Sequence, residues 1–195
     1  MANSNGSKAA ARDKRQRLTA AAAEVLHRQG VERTTIADIA QLADVPVGNV
    51  YYYFKTKDDL VRAALSAHAD HLSLKLAHLD RDPDPRARLG ALVASWVERR
   101  DITARYGCPT GTLAVELDKR EPDGIDTEVG QLFRTLVDWV AEQFRRLGQP
   151  DPHDLAITFV AANQGMSLLS NALRDPTIMI REGERLRRWL DDLPT

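Results

Sequence analysis

Residues 34–60 constrain the fold of this chain more than any other stretch. They contain two Thr-x-x-Asp sequences, beginning at Thr35 and Thr56, and each resembles the capping box that opens a helix. Between them stands Pro46, which is tolerated in the first turn of a helix, so a short helix is predicted from there to about Phe54. Two short helices, a tight turn and a third helix start form a helix-turn-helix, which places its second helix in the DNA major groove.

Helical periodicity also marks the rest of the chain, and strand signals are absent. The first helix is predicted over about Arg12–Gln29, with Gly30 just beyond its end. Proline-containing breaks at 80–85, 121–124 and 149–152 separate later helices. The chain is therefore predicted to be all-α with about nine helices. After the motif, one helix is predicted to begin at Thr56 and another to carry Leu113 to Leu117. Further helices are predicted over about 86–103, 126–147 and 153–173, and a last one from Asp175.

Charge is distributed unevenly along the chain. Residues 1–57 contain nine Lys and Arg against five Asp and Glu, a net charge of +4, whereas the whole chain carries −1. A basic N-terminal part suits a protein that reads DNA, although a chance fluctuation of charge along a soluble protein is the alternative. No apolar run reaches membrane-spanning length and residues 1–11 lack the apolar core of a secretory signal. We therefore expect a disordered arm over 1–11, a cytoplasmic protein and no membrane partner.

The second helix of the motif is predicted to have two faces. Val47, Val50, Tyr51 and Phe54 recur at helical spacing and are predicted to pack inward. The N-terminal end is predicted to meet base edges, with Asn49 suited to adenine and Val47 also suited to a thymine methyl group. Tyrosine hydroxyls, lysines and a helix N-terminus are predicted to contact phosphates. The predicted DNA-binding residues are Thr34, Thr35, Pro46, Val47, Gly48, Asn49, Tyr52, Tyr53, Lys55 and Lys57.

This segment resembles the TetR family of bacterial transcription regulators. The resemblance rests on Thr34-Thr35, on Ile39-Ala40-x-x-Ala43, and on the run Val45-Pro46-x-Gly48-x-Val50-Tyr51-x-Tyr53-Phe54-x-x-Lys57-x-x-Leu60. Asp44 departs from the pattern, because the family turn usually carries Gly and Asp adopts left-handed backbone only at some cost. The resemblance implies a helix-turn-helix DNA-binding domain over 12–57 and a helical ligand-sensing and dimerisation domain over 58–195.

A small-molecule effector pocket in the second domain is implied by fold analogy alone. Aromatic and apolar side chains are suited to line it, and a few polar ones to orient a ligand. Ordinary core packing is an equal alternative for each of them. The candidates are Trp96, Cys108, Leu113, Glu116, Phe133, Trp139, Asn163 and Gln164.

The last two predicted helices carry more apolar surface than one monomer covers. In the family, such a pair forms a four-helix dimer interface, so a homodimer is expected that reads a palindromic operator on double-stranded DNA. The predicted interface residues are Leu155, Phe159, Met166, Leu169, Leu186, Trp189 and Leu190.

Cys108 allows two interpretations. The sequence Gly107-Cys108-Pro109 followed by Gly111-x-Leu113-x-x-Glu116-Leu117 resembles a subgroup that includes NemR-like and LmrA/YxaF-like regulators. A thiol near a helix N-terminus is a candidate reactive sensor, but a buried small hydrophobic residue is favoured. His68 and His71 stand three residues apart, yet a metal site needs a third ligand and none is evident, so neither metal nor cofactor is expected.

The sequence therefore predicts a homodimeric, ligand-responsive repressor that binds a palindromic operator and is released by a small-molecule effector. Alternatives are an activator or global DNA-binding regulator of the same fold, and a thiol-based electrophile or redox sensor acting through Cys108. An enzyme is not expected, because no nucleophile, base and acid set and no Gly-rich phosphate loop stands out.

Overall fold

A computed structural model describes residues 3–118 and 125–194. All regular elements within these ranges are helices, so the all-α prediction is confirmed for the described part of the chain. The break predicted at 121–124 lies outside it. The helices are α1 (Asn3–Arg33), α2 (Ile36–Leu42), α3 (Val47–Tyr53), α4 (Lys57–Leu79), α5 (Pro85–Glu98), α6 (Arg100–Tyr106), α7 (Pro109–Asp118), α8 (Ile125–Arg146), α9 (Pro152–Leu173) and α10 (Thr177–Asp191).

Two helix boundaries differ from the sequence prediction. Helix α1 begins at Asn3, so residues 3–11 of the predicted disordered arm are helical. Lys8 and the three alanines at 9–11 are good helix formers, and no proline interrupts the stretch. The single helix predicted over 86–103 is divided into α5 and α6, because Arg99 leaves helical geometry with φ −90° and ψ 9°.

Both predicted capping boxes are present. The hydroxyl of Thr35 accepts from the Asp38 backbone N–H at 3.1 Å, and the Asp38 carboxylate accepts from the Thr35 N–H at 2.9 Å. The hydroxyl of Thr56 and the carboxylate of Asp59 make the same reciprocal pair at 3.1 and 3.0 Å. These bonds satisfy backbone donors that have no partner inside the helix and thereby fix where α2 and α4 begin.

The backbone departs from ordinary geometry at two expected positions. Gly30 interrupts α1 with φ 81° and ψ 171°, a conformation readily open only to glycine. Asp44 in the turn between α2 and α3 has φ 51°, so it adopts the left-handed backbone anticipated for this position.

Two main apolar clusters hold the helices together. The first packs α1 to α4 around Leu18, Val50 and Leu60, and it also includes Leu113 and Leu117 from α7. The second joins the end of α4 to α5, α8, α9 and α10 around the fully buried rings of Phe144 and Phe159. Helix α4 contributes to both clusters, so it physically connects the N-terminal helices to the C-terminal ones.

Candidate functional site

The N-terminal end of α3 stands free of the rest of the molecule. Pro46, Val47, Gly48 and Asn49 are all exposed, and Val47 retains 44% of its accessible surface. A Cβ atom added to Gly48 would meet no heavy atom within 4 Å, so the backbone there is open to close approach. Four exposed residues at the start of a motif's second helix are the arrangement that contacts base edges.

Fewer side chains of α3 are buried against the rest of the molecule than predicted. Val50 and Phe54 are buried as expected, at 0% and 3% exposure, and the Arg15 guanidinium lies over the Phe54 ring at 5.2 Å. The prediction that Val47 and Tyr51 pack inward is wrong, since their side chains are 44% and 48% exposed. Tyr51 stands one helical turn after Val47 and therefore shares the open face with it. Its exposure adds a residue to the open face of α3 that was not among the predicted DNA-binding residues.

Polar and basic side chains surround the C-terminal end of α3. Tyr52 is 76% exposed and its ring meets that of Tyr53 edge-on at 5.0 Å. The Lys55 ammonium donates to the Tyr51 carbonyl at 2.7 Å, and the Lys57 ammonium reaches the Glu32 carbonyl at 3.4 Å. The two positive charges therefore lie beside the exposed helix, where a phosphate backbone would pass.

Thr34 does not fit its predicted role as a phosphate contact. Its side chain is 1% exposed, and its hydroxyl donates to the Gly30 carbonyl at 2.6 Å. The hydroxyl is used to close the turn between α1 and α2, so it cannot face solvent. Thr35 is exposed, although its hydroxyl already bonds the Asp38 carboxylate at 2.7 Å.

A cavity of about 360 Å³ is lined by residues of α4 to α10. The structure brings five of the predicted pocket residues to its wall. They are Trp96, Cys108, Phe133, Asn163 and Gln164. The volume falls within the range of small-molecule sites, and the wall mixes aromatic and aliphatic surface with a few polar groups.

Three predicted pocket residues lie elsewhere. Leu113 is 2% exposed and packs in the cluster of α1 to α4. The Glu116 carboxylate accepts from the Val31 backbone N–H at the end of α1. The Trp139 indole donates to Asp80 at 3.1 Å, away from the cavity. Leu113 and Glu116 are turned away because the face of α7 that carries them packs against α1.

The α4 wall of the cavity is basic, a feature that the sequence interpretation missed. His68, His71 and Lys75 follow the helical spacing i, i+3, i+7 and therefore share one face of α4, which was the available signal. Lys75 donates to the Ser95 hydroxyl at 3.1 Å. Burial lowers the pKa of Lys75 below its ordinary value, and the positive charge of nearby Arg99 lowers it further. Burial likewise lowers the pKa of His68.

Cys108 forms part of the cavity wall at the start of α7. Its sulfur accepts from the Gly111 backbone N–H at 3.5 Å and from the Gln164 amide at 3.7 Å. The thiol is half-buried rather than enclosed. It is therefore placed where a molecule in the cavity could touch it.

Two hydrogen bonds connect α1 to the segment that carries Cys108. The ring of His27 lies with Nε2 2.9 Å from the Gly107 carbonyl oxygen and meets the Tyr106 ring edge-on at 5.8 Å. Burial lowers the pKa of His27. The contact between Glu116 and Val31 joins the same segment to the end of α1. A displacement of the cavity wall near Cys108 would therefore disturb contacts with α1.

Helix α9 leaves an apolar face uncovered. Leu168, Leu169 and Leu173 are 68%, 51% and 65% exposed, and Ile157 on the same helix is 48% exposed. Of these four, only Leu169 was in the predicted dimer interface. A shallow groove between α9 and α10 is lined by Leu169 together with three further predicted interface residues, Met166, Leu186 and Trp189. Of these three, Met166 and Leu186 are buried, at 2% and 7% exposure.

The predicted interface residues Phe159 and Leu190 point inward instead. They are 0% and 1% exposed, and the Phe159 ring contacts those of Trp96 and Phe144 at 5.3 and 6.1 Å. Leu155 is half-buried against the same cluster. Both helices are apolar on an inner and an outer face, and periodicity alone does not say which face meets the core.

Across residues 3–118 and 125–194, no three His, Cys, Asp or Glu side chains are grouped to hold a metal ion. In the same ranges, no helix has both the length and the apolar character that crossing a membrane requires.

Helices α1 to α3, with the exposed start of α3, form a helix-turn-helix head, and the remaining helices form a larger helical part. This arrangement defines a helix-turn-helix transcriptional regulator. Residues 18–64 match the family of bacterial regulatory proteins of the tetR type, and residues 85–184 match the C-terminal domain of LmrA/YxaF-like transcriptional regulators. The second match covers half of the chain, so the chain belongs to the TetR family and has an LmrA/YxaF-like C-terminal domain.

Individual relatives agree with this assignment. An uncharacterized HTH-type transcriptional regulator of Lactococcus lactis is 27% identical over 175 residues, covering 86% of this chain and 88% of its own. A TetR-family regulator from Agrobacterium tumefaciens shares the fold with a TM-score of 0.83 at 23% identity, over 94% of this chain and 99% of its own. Reduced E. coli NemR shares it with a TM-score of 0.76 at 18% identity, over 90% and 96%. The family and these relatives are transcriptional regulators rather than enzymes.

Proposed function

We propose that this protein is a homodimeric repressor that binds a palindromic operator and releases it when a small molecule occupies the cavity described above. The single observation that carries the proposal is the position of α4. This helix packs Leu60 and Leu65 against the DNA-reading head, and over the next three turns it presents His68, Leu72 and Lys75 to the cavity. One rigid helix therefore contacts both sites, which is the physical requirement for coupling them.

The proposed mechanism is a change in the spacing of two heads. Each head presents Pro46–Asn49 at the free end of α3, and a two-fold dimer would place the two helices about one DNA turn or a multiple apart. A ligand that changes the tilt of α4, or that shifts the Gly107 backbone beside the His27 ring, would alter the spacing of the two α3 helices. A coupling free energy of about 1–3 kcal/mol is typical and would change operator affinity by about 5- to 150-fold.

The uncovered face of α9 supports the dimeric part of the proposal. Exposed leucines are costly in water, and a second copy of the same helix pair would bury them around a two-fold axis. Leu168, Leu169 and Leu173 are these exposed leucines, and Leu169 shares the groove with Leu186 and Trp189 of α10.

The first experiment is a selection of bound sequences from a random DNA pool at a stated salt concentration. We expect enrichment of a palindrome with two half-sites. A titration of cavity ligands against the selected DNA then tests release, and transcription from a promoter carrying the operator separates a repressor from an activator or a global DNA-binding regulator. Enrichment no greater than that of non-specific binding would contradict the proposal.

Thiol-based sensing through Cys108 is the second candidate function. The observation that favours it is the position of the sulfur at the cavity wall, where the Gly111 N–H and the Gln164 amide point at it. Such donors stabilise a thiolate, the form that reacts with electrophiles. In the step tested, the sulfur adds to the alkene carbon of N-ethylmaleimide, and the neighbouring carbon takes up a proton from water.

The test of this second candidate uses Cys108→Ser as its matched control. If Cys108 is the sensor, N-ethylmaleimide releases operator DNA from the wild-type protein and leaves the variant bound. Mass spectrometry should show one added maleimide in the released protein. Retention of DNA by a fully alkylated wild-type protein would exclude thiol sensing by this route.

A further inference from the structure

The charged side chains at the cavity wall are all of one sign. Lys75 and Arg99 contribute an ammonium and a guanidinium, and His68 and His71 contribute two imidazoles. No aspartate or glutamate is among the described residues that form the wall. The remainder is mainly apolar, including the rings of Trp96 and Phe133. A positive charge in a mostly apolar cavity has few polar groups nearby to stabilise it.

Neither cation is in an ion pair with a described residue, although the negative charge of Glu98, which is not on the wall, partly offsets the lowering of the Lys75 pKa by burial. Within residues 3–118 and 125–194, Lys75 is in no ion pair, and its one hydrogen bond goes to the uncharged hydroxyl of Ser95. Arg99 is exposed at the opening and is likewise in no ion pair with a described residue. By contrast, Arg88 on α5 is buried and paired with Asp80 at 3.3 Å. The two cations at the cavity are thus available to a negatively charged partner.

Two neutral polar groups at the same wall also lack partners. Asn163 is 5% exposed and makes no side-chain hydrogen bond to a described residue, and its carboxamide atoms are not fully buried, so they remain accessible at the cavity wall. The Nε2 atom of His68 is buried without a hydrogen-bond partner in the described structure. Unsatisfied polar groups of this kind are expected where a ligand completes the hydrogen bonding.

We infer that the cavity binds an organic anion, such as a carboxylate or sulfonate on an aromatic or aliphatic body. The anionic group lies between Lys75 and Arg99, where both cations can donate to its oxygens. The body packs against Trp96 and Phe133, and Asn163 and His68 bond its remaining polar atoms. Calling this anion the effector rests on the proposed function, but its binding to the cavity does not.

Two fluorescent probes that share the same ring system test whether binding to the cavity requires a negative charge. 8-Anilinonaphthalene-1-sulfonate carries a sulfonate, and N-phenyl-1-naphthylamine is the same molecule without it. We expect the wild-type protein to bind the sulfonate at least about tenfold more tightly, because a hydrogen bond to a charged group contributes about that much to affinity. Equal affinities, or no binding of the sulfonate, would overturn the inference.

Variants then locate the binding. Lys75→Met and Arg99→Gln should each weaken the sulfonate by about tenfold and leave the neutral probe unchanged, and Lys75→Arg should restore most of the loss. Arg100→Gln is the matched control, since Arg100 pairs with Asp101 and is not among the residues of the cavity wall. Arg99 is exposed, so its replacement should not disturb folding, which thermal unfolding checks. Unchanged sulfonate affinity in both variants would show that the probe binds elsewhere, for example on the apolar face of α9, and would refute the assignment.

Operator binding separates this inference from the proposed function. A wild-type protein that binds a selected palindrome, is released only by neutral ligands and does not bind the sulfonate would contradict the anion inference and keep the repressor. A protein that binds the sulfonate through Lys75 but shows no specific DNA binding would contradict the repressor and keep the anion site.

Discussion

Replacing Gly30 with alanine should uncouple the end of α1 from α7 at a substantial cost in stability. The backbone there has φ 81° and ψ 171°, and holding a residue with a side chain in such a conformation costs about 1–3 kcal/mol. The new Cβ would also lie 2.5 Å from the Glu116 carboxylate oxygen Oε1 and 2.9 Å from Oε2. The carboxylate must move, and the N–H of Val31, which is 1% exposed, loses its acceptor. A buried donor left unpaired adds about 1–3 kcal/mol, so we expect a loss of at least about 2 kcal/mol.

Urea unfolding at one fixed protein concentration measures this loss, since dimerisation would make stability depend on concentration. Gly90→Ala is the matched control, because Gly90 lies within α5 and an added Cβ meets nothing within 4 Å. It should change stability little or increase it by up to about 1 kcal/mol. Adding Glu116→Ala to Gly30→Ala removes the clash, so the double-mutant cycle should show favourable coupling. A Gly30→Ala protein as stable as Gly90→Ala would refute the reasoning.

Three further predictions concern the DNA surface, the apolar face and acid stability. Lys55→Ala should weaken operator binding and lower the slope of log affinity against log salt concentration by about one, whereas Arg146→Ala on distant α8 should leave the slope unchanged in titrations at several salt concentrations. Leu169→Glu should convert a dimer into a monomer in light scattering, whereas Leu74→Glu, at a 72% exposed site on α4, should not; two dimeric variants would contradict the proposed interface. Hydrogen bonds from the Thr56 and Lys55 backbone lower the pKa of Asp59, so the folded state binds fewer protons than the unfolded state and this stability is lost as pH falls below about 4. Asp59→Asn should therefore flatten the acid limb of the stability curve, and an unchanged pH dependence in urea unfolding would argue against the capping role.

Local sequence was sufficient for the elements whose ends depend on neighbouring residues. The capping boxes at Thr35 and Thr56 were predictable because both partners lie within four residues of each other, so no distant contact is needed to form them. Gly30 and Asp44 were predictable as special backbone positions for the same reason. Local sequence failed where such a signal was weak, as in the split between α5 and α6 at Arg99.

Side-chain assignments failed where a helix has two apolar faces. Phe159 and Leu169 both belong to the apolar pattern of α9, yet Phe159 is 0% exposed and Leu169 is 51% exposed. Thr34 was assigned to the surface by its chemistry, but its hydroxyl is buried against the Gly30 carbonyl. These outcomes depend on which neighbouring helix covers which face, and that is a property of the packed molecule.

The sequence by itself determined the helical class, the capped helix-turn-helix and the family, because these follow from periodicity, from capping pairs and from a motif of adjacent residues. The tertiary structure alone decided what the cavity contains. It brings His68 and Lys75 of α4, Arg99 at the end of α5 and Asn163 of α9 to one enclosed surface, and it turns Glu116 away to bind α1. The spacing of His68, His71 and Lys75 marks a basic face of α4, but whether that face lines a cavity, and whether acidic residues join it there, depends on residues far apart in the chain meeting in space.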